Sequence, residues 1–253
     1  MLNGVALITG GQQGIGLGIA KALVGAGYHV ALASNVAAKT SVVQNALRDL
    51  GEVAQYFHHD ISDINNIPAL LNAVETTFGP ITTLVSNAGV PARMRGDMLV
   101  ITPENFDAVM DINLRGAFFL AQAVAKRMAD RPSLSYRSIT FVTSVSATMV
   151  SIDRAEYCVS KAAAAMMAQL FAVRMAPLGI GVFELRPGII ATAMTAAVTD
   201  TYSARIEGGL VPAGRWGQPA DIGQVMVPIA LGQMAFATGA VIPVDGGLSI
   251  ARL

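Results

Sequence analysis

The stretch TSVSATMVSIDRAEYCVSK, residues 143–161, carries two serines, Ser144 and Ser146, then Tyr157 and Lys161. On a helix, residues i and i+4 lie on one face, so this phenol and this ammonium can act on the same atom. A phenol has an ordinary pKa of about 10, and a nearby ammonium stabilises the phenolate and lowers that value. The pair could therefore protonate a carbonyl oxygen as a hydride reaches its carbon, or take the proton from an alcohol in reverse. A serine hydroxyl could orient that oxygen and stabilise its charge. Taken alone, the stretch reads equally as a strand-end serine, a packed tyrosine and a solvated lysine. Cys158, one residue past the tyrosine, points about 100° away around the helix and is given no role.

The surrounding elements decide between these readings. Short apolar runs at 5–9, 29–34, 53–58, 81–86, 138–144, 181–186 and 240–244 read as buried strands. Longer segments of helical period lie between them, such as GIGLGIAKALVGAG and PENFDAVMDINLRGAFFLAQAVAKRMA. Strict alternation makes neighbouring strands parallel and predicts an α/β fold: a doubly wound (Rossmann) sheet of about seven strands with helices on both faces. Residues 1–253 are expected to form a single domain, since no linker or repeat divides them. The irregular region 191–221 follows a strand end and is expected to be a substrate lid.

Composition narrows the partners. Of 253 residues, 53% are apolar and 13% charged, which points to a large core or to self-association. The 17 basic and 17 acidic residues cancel, and no basic run would track a phosphate backbone, so nucleic acid is not an expected partner. The apolar patch KAAAAMMAQLFAV falls short of the ~20 residues that span a bilayer, and the N-terminus lacks a basic n-region; a cytoplasmic protein without a membrane partner is expected. A single cysteine excludes an internal disulfide, and His29, His58 and His59 stand in strand segments with no metal-ligand spacing.

The first strand runs into ITGGQQGIGLGIAKALVGAG. Gly10, Gly14 and Gly16 fall where a strand-to-helix turn needs positive φ, close approach to a pyrophosphate and close helix packing, with Gln12, Gln13 and Ile15 between and beside them. TGGQQGIG is similar to the TGxxxGIG signature of the short-chain dehydrogenase/reductase family, and further motifs follow in the family's order. HHDISD resembles the segment that puts Asp60 and the Ile61 amide beside the adenine. NAG, which is Asn87, Ala88 and Gly89, closes strand four, and DINLRGAF supplies Asn113 within a helix. RPGII with Thr192 resembles the P-G-x-I-x-T turn near the nicotinamide, through Pro187, Gly188, Ile190 and Thr192, and VDGG matches the C-terminal strand and turn.

The resemblance implies an NAD(P)-dependent oxidoreductase that moves a hydride between nicotinamide and a ketone or secondary alcohol. It assigns the family's tetrad to Asn113, Ser144, Tyr157 and Lys161, and prefers Ser144 to Ser146 by its spacing to the tyrosine. Asn113 would hold a water linking Lys161 to solvent. The chain is similar in flavour to 3-oxoacyl-[acyl-carrier-protein] reductases, which suggests a 3-oxoacyl thioester; the alternatives are a sugar or polyol dehydrogenase and a non-catalytic dinucleotide-binding regulator. The intact proton relay favours an enzyme over a regulator.

At the end of strand two, Ser34 and Asn35 stand where NAD-specific relatives carry a carboxylate, so NADP(H) is favoured over NAD(H). The usual arginines are absent there too, and Lys39 is the nearest cation. Met94, Met98, Ile152, Met194, Val198 and Tyr202 are expected to border an apolar substrate site. Lys126, Arg127 and Arg131 could dock an acidic acyl carrier protein, although Leu178 stands where carrier-protein reductases often have a basic residue. The resemblance also implies a homotetramer built on helices at 103–129 and 155–177, the second approaching its partner through an Ala-rich face.

Overall fold

The computed structural model describes residues 4–131 and 135–252. The apolar runs form β1 (Gly4–Thr9), β2 (Tyr28–Ser34), β3 (Ala54–His58), β4 (Thr83–Ser86), β5 (Arg137–Val142), β6 (Ile180–Pro187) and β7 (Val241–Val244). They pair in the order β3-β2-β1-β4-β5-β6-β7, every pairing parallel. Parallel neighbours need crossovers. These are α1 (Gly14–Gly25), α2 (Ser41–Leu50), α3 (Ile67–Phe78), α4 (Pro103–Met110), α5 (Ala117–Ala129), α6 (Ala155–Met175), α7 (Thr199–Glu207) and α8 (Pro219–Ala230). The result is the doubly wound sheet that the alternation predicts.

Both faces of each inner strand are buried, and alternate residues feed opposite layers. Leu7, Leu84 and Ile139 pack with Leu71, Leu120 and Phe171 of α3, α5 and α6. Ile8, Leu32 and Val85 pack on the other side with Ile19, Ala46 and Met226 of α1, α2 and α8. The 27-residue helical run Pro103–Ala129 is long and apolar enough, by length and composition, to cross a membrane, which the sequence reading overlooked. Here Leu120, Ala121 and Val124 of that run lie in the core.

Three local differences from expectation bear on the site. The strand expected at 138–144 ends at Val142, and the chain enters a 3-10 turn, Val145–Ala147, with Ser144 as its N-cap. The helix expected without interruption through DINLRGAF widens between α4 and α5 into a π segment, Asp111–Gly116. The region 191–221, expected to be irregular, contains a 3-10 segment, Ala193–Val198, and α7. It is anchored by Ile206 and Val211 against Leu248, with Trp216 donating from Nε1 to Ser203 Oγ at 3.1 Å.

Candidate active site

In this sheet the strand order reverses between β1 and β4, where ligands bind in open α/β folds. Side chains lace the two strand ends together. Thr9 Oγ1 accepts from the Asn87 and Ala88 amides at 3.0 and 2.9 Å, and Asn87 Nδ2 donates to Thr9 O at 2.9 Å. The turn after Thr9 uses Gly10 at φ +65°, and a Cβ on Gly16 would stand 2.3 Å from Gly10 O, so only glycine allows α1 to sit this close. Gln13 caps α1 without a side-chain bond and no acid occupies its first turn, leaving the helix's positive end open to an anion.

A cleft of about 320 Å³ opens over this turn. Its far end is formed by Ser34, Asn35, Asp60 and Ile61. Hydrogen bonds from the Ser62 hydroxyl and amide hold the Asp60 carboxyl below its ordinary range. Tyr56 OH shares a hydrogen with Ser34 Oγ at 2.8 Å and also bonds Ser34 O, which fixes the loop after β2. Gln12 Oε1 is buried in the cleft region without a partner. A close glycine turn, an open helix N-terminus and an unspent acceptor together fit a dinucleotide.

Tyr157 and Lys161 face this cleft from the first turns of α6. Lys161 is buried; its Nζ donates to Val142 O at 3.2 Å and lies 5.7 Å from the Tyr157 ring centroid. Loss of solvent pulls its ammonium down to about 8. Burial pushes the Tyr157 phenol up, opposed by a hydrogen bond from the Ser144 hydroxyl and by the Arg154 guanidinium. The net direction is upward, contrary to the depression expected beside an ammonium, because desolvation outweighs Ser144 and Arg154. Ser144 Oγ accepts from the Ser146 amide at 3.1 Å. Asn113, in the π segment, clamps the backbone of Val90 by accepting from its amide at 2.8 Å and donating to its carbonyl at 3.0 Å, and reaches Ser160 Oγ at 3.1 Å.

A second cleft, of about 310 Å³, adjoins the first and shares Ile15, Thr143, Tyr157, Thr192 and Met194 with it. Ser144 and Ser146 line this second space, with Met149, Val198, Tyr202 and Leu248. Three arginines, Arg95, Arg154 and Arg205, complete its wall.

A family model described as enoyl-(acyl carrier protein) reductase matches residues 10–249. The chain belongs to the short-chain dehydrogenase/reductase family. It is 33% identical over 249 residues to 2-dehydro-3-deoxy-D-gluconate 5-dehydrogenase of Pseudoalteromonas atlantica, covering 96% of this chain and 94% of that one. It is 34% identical over 247 residues to a 3-oxoacyl-[acyl-carrier-protein] reductase of Mycobacterium tuberculosis, covering 96% and 92%. The crystal structure of a 3-oxoacyl-[acyl-carrier protein] reductase from Brucella melitensis in complex with NAD superposes with a TM-score of 0.95 at 47% identity over 100% of both chains. Short-chain dehydrogenases/reductases are NAD(P)-binding oxidoreductases of CH–OH and ketone groups, and this chain is one of them.

Most of the residues expected at the dinucleotide site line the first cleft: Gly10, Gln12, Gln13, Gly14, Ile15, Ser34, Asn35, Asp60, Ile61, Asn87, Ala88, Gly89, Tyr157, Lys161 and Thr192. Gly16 does not line it and acts through packing. Pro187, Gly188 and Ile190 line the second cleft instead, beyond the shared wall. Met194, Val198 and Tyr202 border that cleft as expected, whereas Met94, Met98 and Ile152 do not and are exposed. Lys39 lines neither.

Sequence reasoning missed Thr9, whose hydroxyl joins the strand ends, although a threonine just before a glycine turn was a readable signal. It gave His59 no part, yet this buried imidazole lines the cleft next to Asp60. The cations assigned to carrier docking are misplaced for that task. Arg127 and Arg131 both pair with Glu75, at 2.8 and 3.0 Å. With Lys126 they stand where α5 ends, near Arg137 at the start of β5, whereas Ser144 and Tyr157 lie past the other end of that strand.

Proposed function

We propose that the protein interconverts a ketone and a secondary alcohol with Tyr157 as general acid and base, and that its carbonyl belongs to a 3-oxoacyl thioester. The observation that carries this is the position of Tyr157 in the wall shared by the two clefts, with Ser144 on one side and Lys161 on the other. The glycine turn, the open end of α1 and the Asp60–Ile61 turn would hold NAD(P), which when bound would supply or take the hydride. In reduction the Tyr157 hydroxyl gives its proton to the carbonyl oxygen as charge builds there, while Ser144 donates a hydrogen bond to the same oxygen. Lys161, still mostly protonated at neutral pH, stabilises the phenolate that remains. Asn113 fixes the Val90 backbone beside this relay and orders a water that returns the proton. Sugar- and polyol-type ketones are the second reading, favoured by the relative that acts on a gluconate derivative.

NADP(H) is the favoured cofactor because no carboxylate stands at Ser34 or Asn35 to repel a 2′-phosphate. NAD(H) is the second reading, favoured by the NAD complex of the Brucella relative and by a cleft whose only Lys or Arg among the described residues is Lys161. Residues 191–221, with α7, act as a lid on the second cleft, residues 1–253 form one domain, and the enzyme is a cytoplasmic homotetramer. Any acyl carrier protein docks at the active-site edge, not through Lys126, Arg127 and Arg131.

Initial rates with NADPH and NADH over ketones, 3-oxoacyl thioesters and keto-sugars test this reading. Tyr157→Phe is expected to lower kcat/KM for reduction by roughly 10²–10⁴-fold while dinucleotide binding, followed by fluorescence titration, persists. Undiminished turnover in that variant would overturn the mechanism.

A further inference from the structure

The second cleft has a charge pattern that hydride transfer to a plain ketone does not use. Arg95 comes from the loop after β4, Arg154 from the residue before α6, and Arg205 from α7, yet all three line one cleft with the Ser144 and Tyr157 side chains. None of them forms an ion pair among the described residues, whereas Arg127, Arg131, Arg186 and Arg215 each have a carboxylate partner. No aspartate or glutamate lines the cleft. Asp153 accepts a hydrogen bond from the Ser151 hydroxyl, which with smaller contributions from Arg154 and Arg95 lowers its carboxyl, and it is not part of the wall. Arg154 spends only one donor, Nε to Ser151 Oγ at 3.2 Å, and its guanidinium carbon stands 5.7 Å from the Tyr157 ring centroid.

Three guanidiniums facing one cleft repel each other, and an oxyanion between them relieves that repulsion. The arginine fork also matches a carboxylate or phosphate in a way that a lysine would not. We propose that the substrate carries an oxyanion, either a carboxylate near its reacting carbonyl or a phosphate at the far end of a thioester carrier, held by Arg95, Arg154 and Arg205 while the carbonyl meets Tyr157. This rests on the hydride-transfer reading for what the bound molecule undergoes, but not for its binding. The anion orients the carbonyl, so discrimination between charged and neutral ketones resides in this wall and not in the proton relay.

The test pairs each charged ketone with a neutral counterpart: 4-oxopentanoate with its methyl ester, and acetoacetyl-coenzyme A with the N-acetylcysteamine thioester of 3-oxobutanoate. The first pair reports a carboxylate and the second a phosphate on a thioester carrier. Wild type should prefer the charged member of at least one pair by about tenfold or more in kcat/KM, the scale of a hydrogen bond to a charged group. Arg95→Gln and Arg205→Gln, both at exposed positions, should each shrink that ratio, and the double variant should shrink it further. Calorimetric binding of the same four compounds to dinucleotide-loaded protein is the second readout. Binding that favours the charged member and loses that preference in the double variant supports the oxyanion site even if no compound is turned over, in which case the hydride-transfer reading alone fails. No charged-over-neutral preference in either readout, or one that survives the double variant, overturns the proposal.

Discussion

Lys161 is a cation kept where the fold would be more stable without one. It is 6% exposed, has one hydrogen bond, to Val142 O, and burial takes its ammonium from 10.5 down to about 8. Its folded pKa lies below its unfolded one, so between about 8 and 10.5 the unfolded chain binds more protons and stability rises with pH. Below that window the folded protein bears the full cost of the buried charge, on the order of 3 kcal/mol. Lys161→Met should therefore raise the urea midpoint at pH 7, and its advantage over wild type should shrink as the pH climbs through the window. Equal midpoints at pH 7 would show that solvent reaches the ammonium. The same variant should lose turnover, because the Tyr157 phenolate would lose the buried ammonium beside it and keep only the Arg154 guanidinium.

The π segment Asp111–Gly116 ties the loop after β4 and Ser160 of α6 to the Asp60–Ile61 turn. At one end Asn113 grips Val90, and at the other a Cβ on Gly116 would fall 2.1 Å from Ile61 O. Gly116→Ala should force the helix off the Asp60–Ile61 turn, costing about 1–3 kcal/mol in urea unfolding and weakening dinucleotide binding together. If stability fell but binding did not, the packing would be structural only. The seven strands were legible because apolar β-branched runs have few other fates, and Tyr157 and Lys161 because a fixed i, i+4 spacing survives folding. The widened turn was not, since D-I-N-L-R-G is compatible with an ordinary helix and only Val90, Ser160 and Ile61, distant in sequence, impose it. Nor was α7 legible: its own period is weak, and Tyr202 meets Trp216 edge-on with ring centroids 6.1 Å apart to hold it in place. The arginine wall draws on residues 95, 154 and 205, too scattered for any motif.

On the scale of the whole molecule, α6 leaves an apolar stripe uncovered. Ala164, Ala165, Ala168 and Ala172 pack inward, while Ala162 is exposed together with Val159, Met166, Leu170 and Val173, the last at 79%. Phe119 of α5 is 37% exposed as well. Monomers rarely expose contiguous apolar surface of this kind. Leu170→Glu with Val173→Glu should reduce the proposed homotetramer to smaller species in light scattering, with little loss of helix content by circular dichroism; a wild-type monomer would remove the basis for the assembly. The strand order described above also divides the clefts by position in the sequence. The turns after β1, β2 and β3 line the end of the first cleft proposed for the adenine and its ribose, whereas the residues proposed for the relay follow β4 and β5 or stand on α6. On the proposed reading, substitutions before residue 62 would change the choice of nucleotide and leave Tyr157, Lys161 and the three arginines of the second cleft in place.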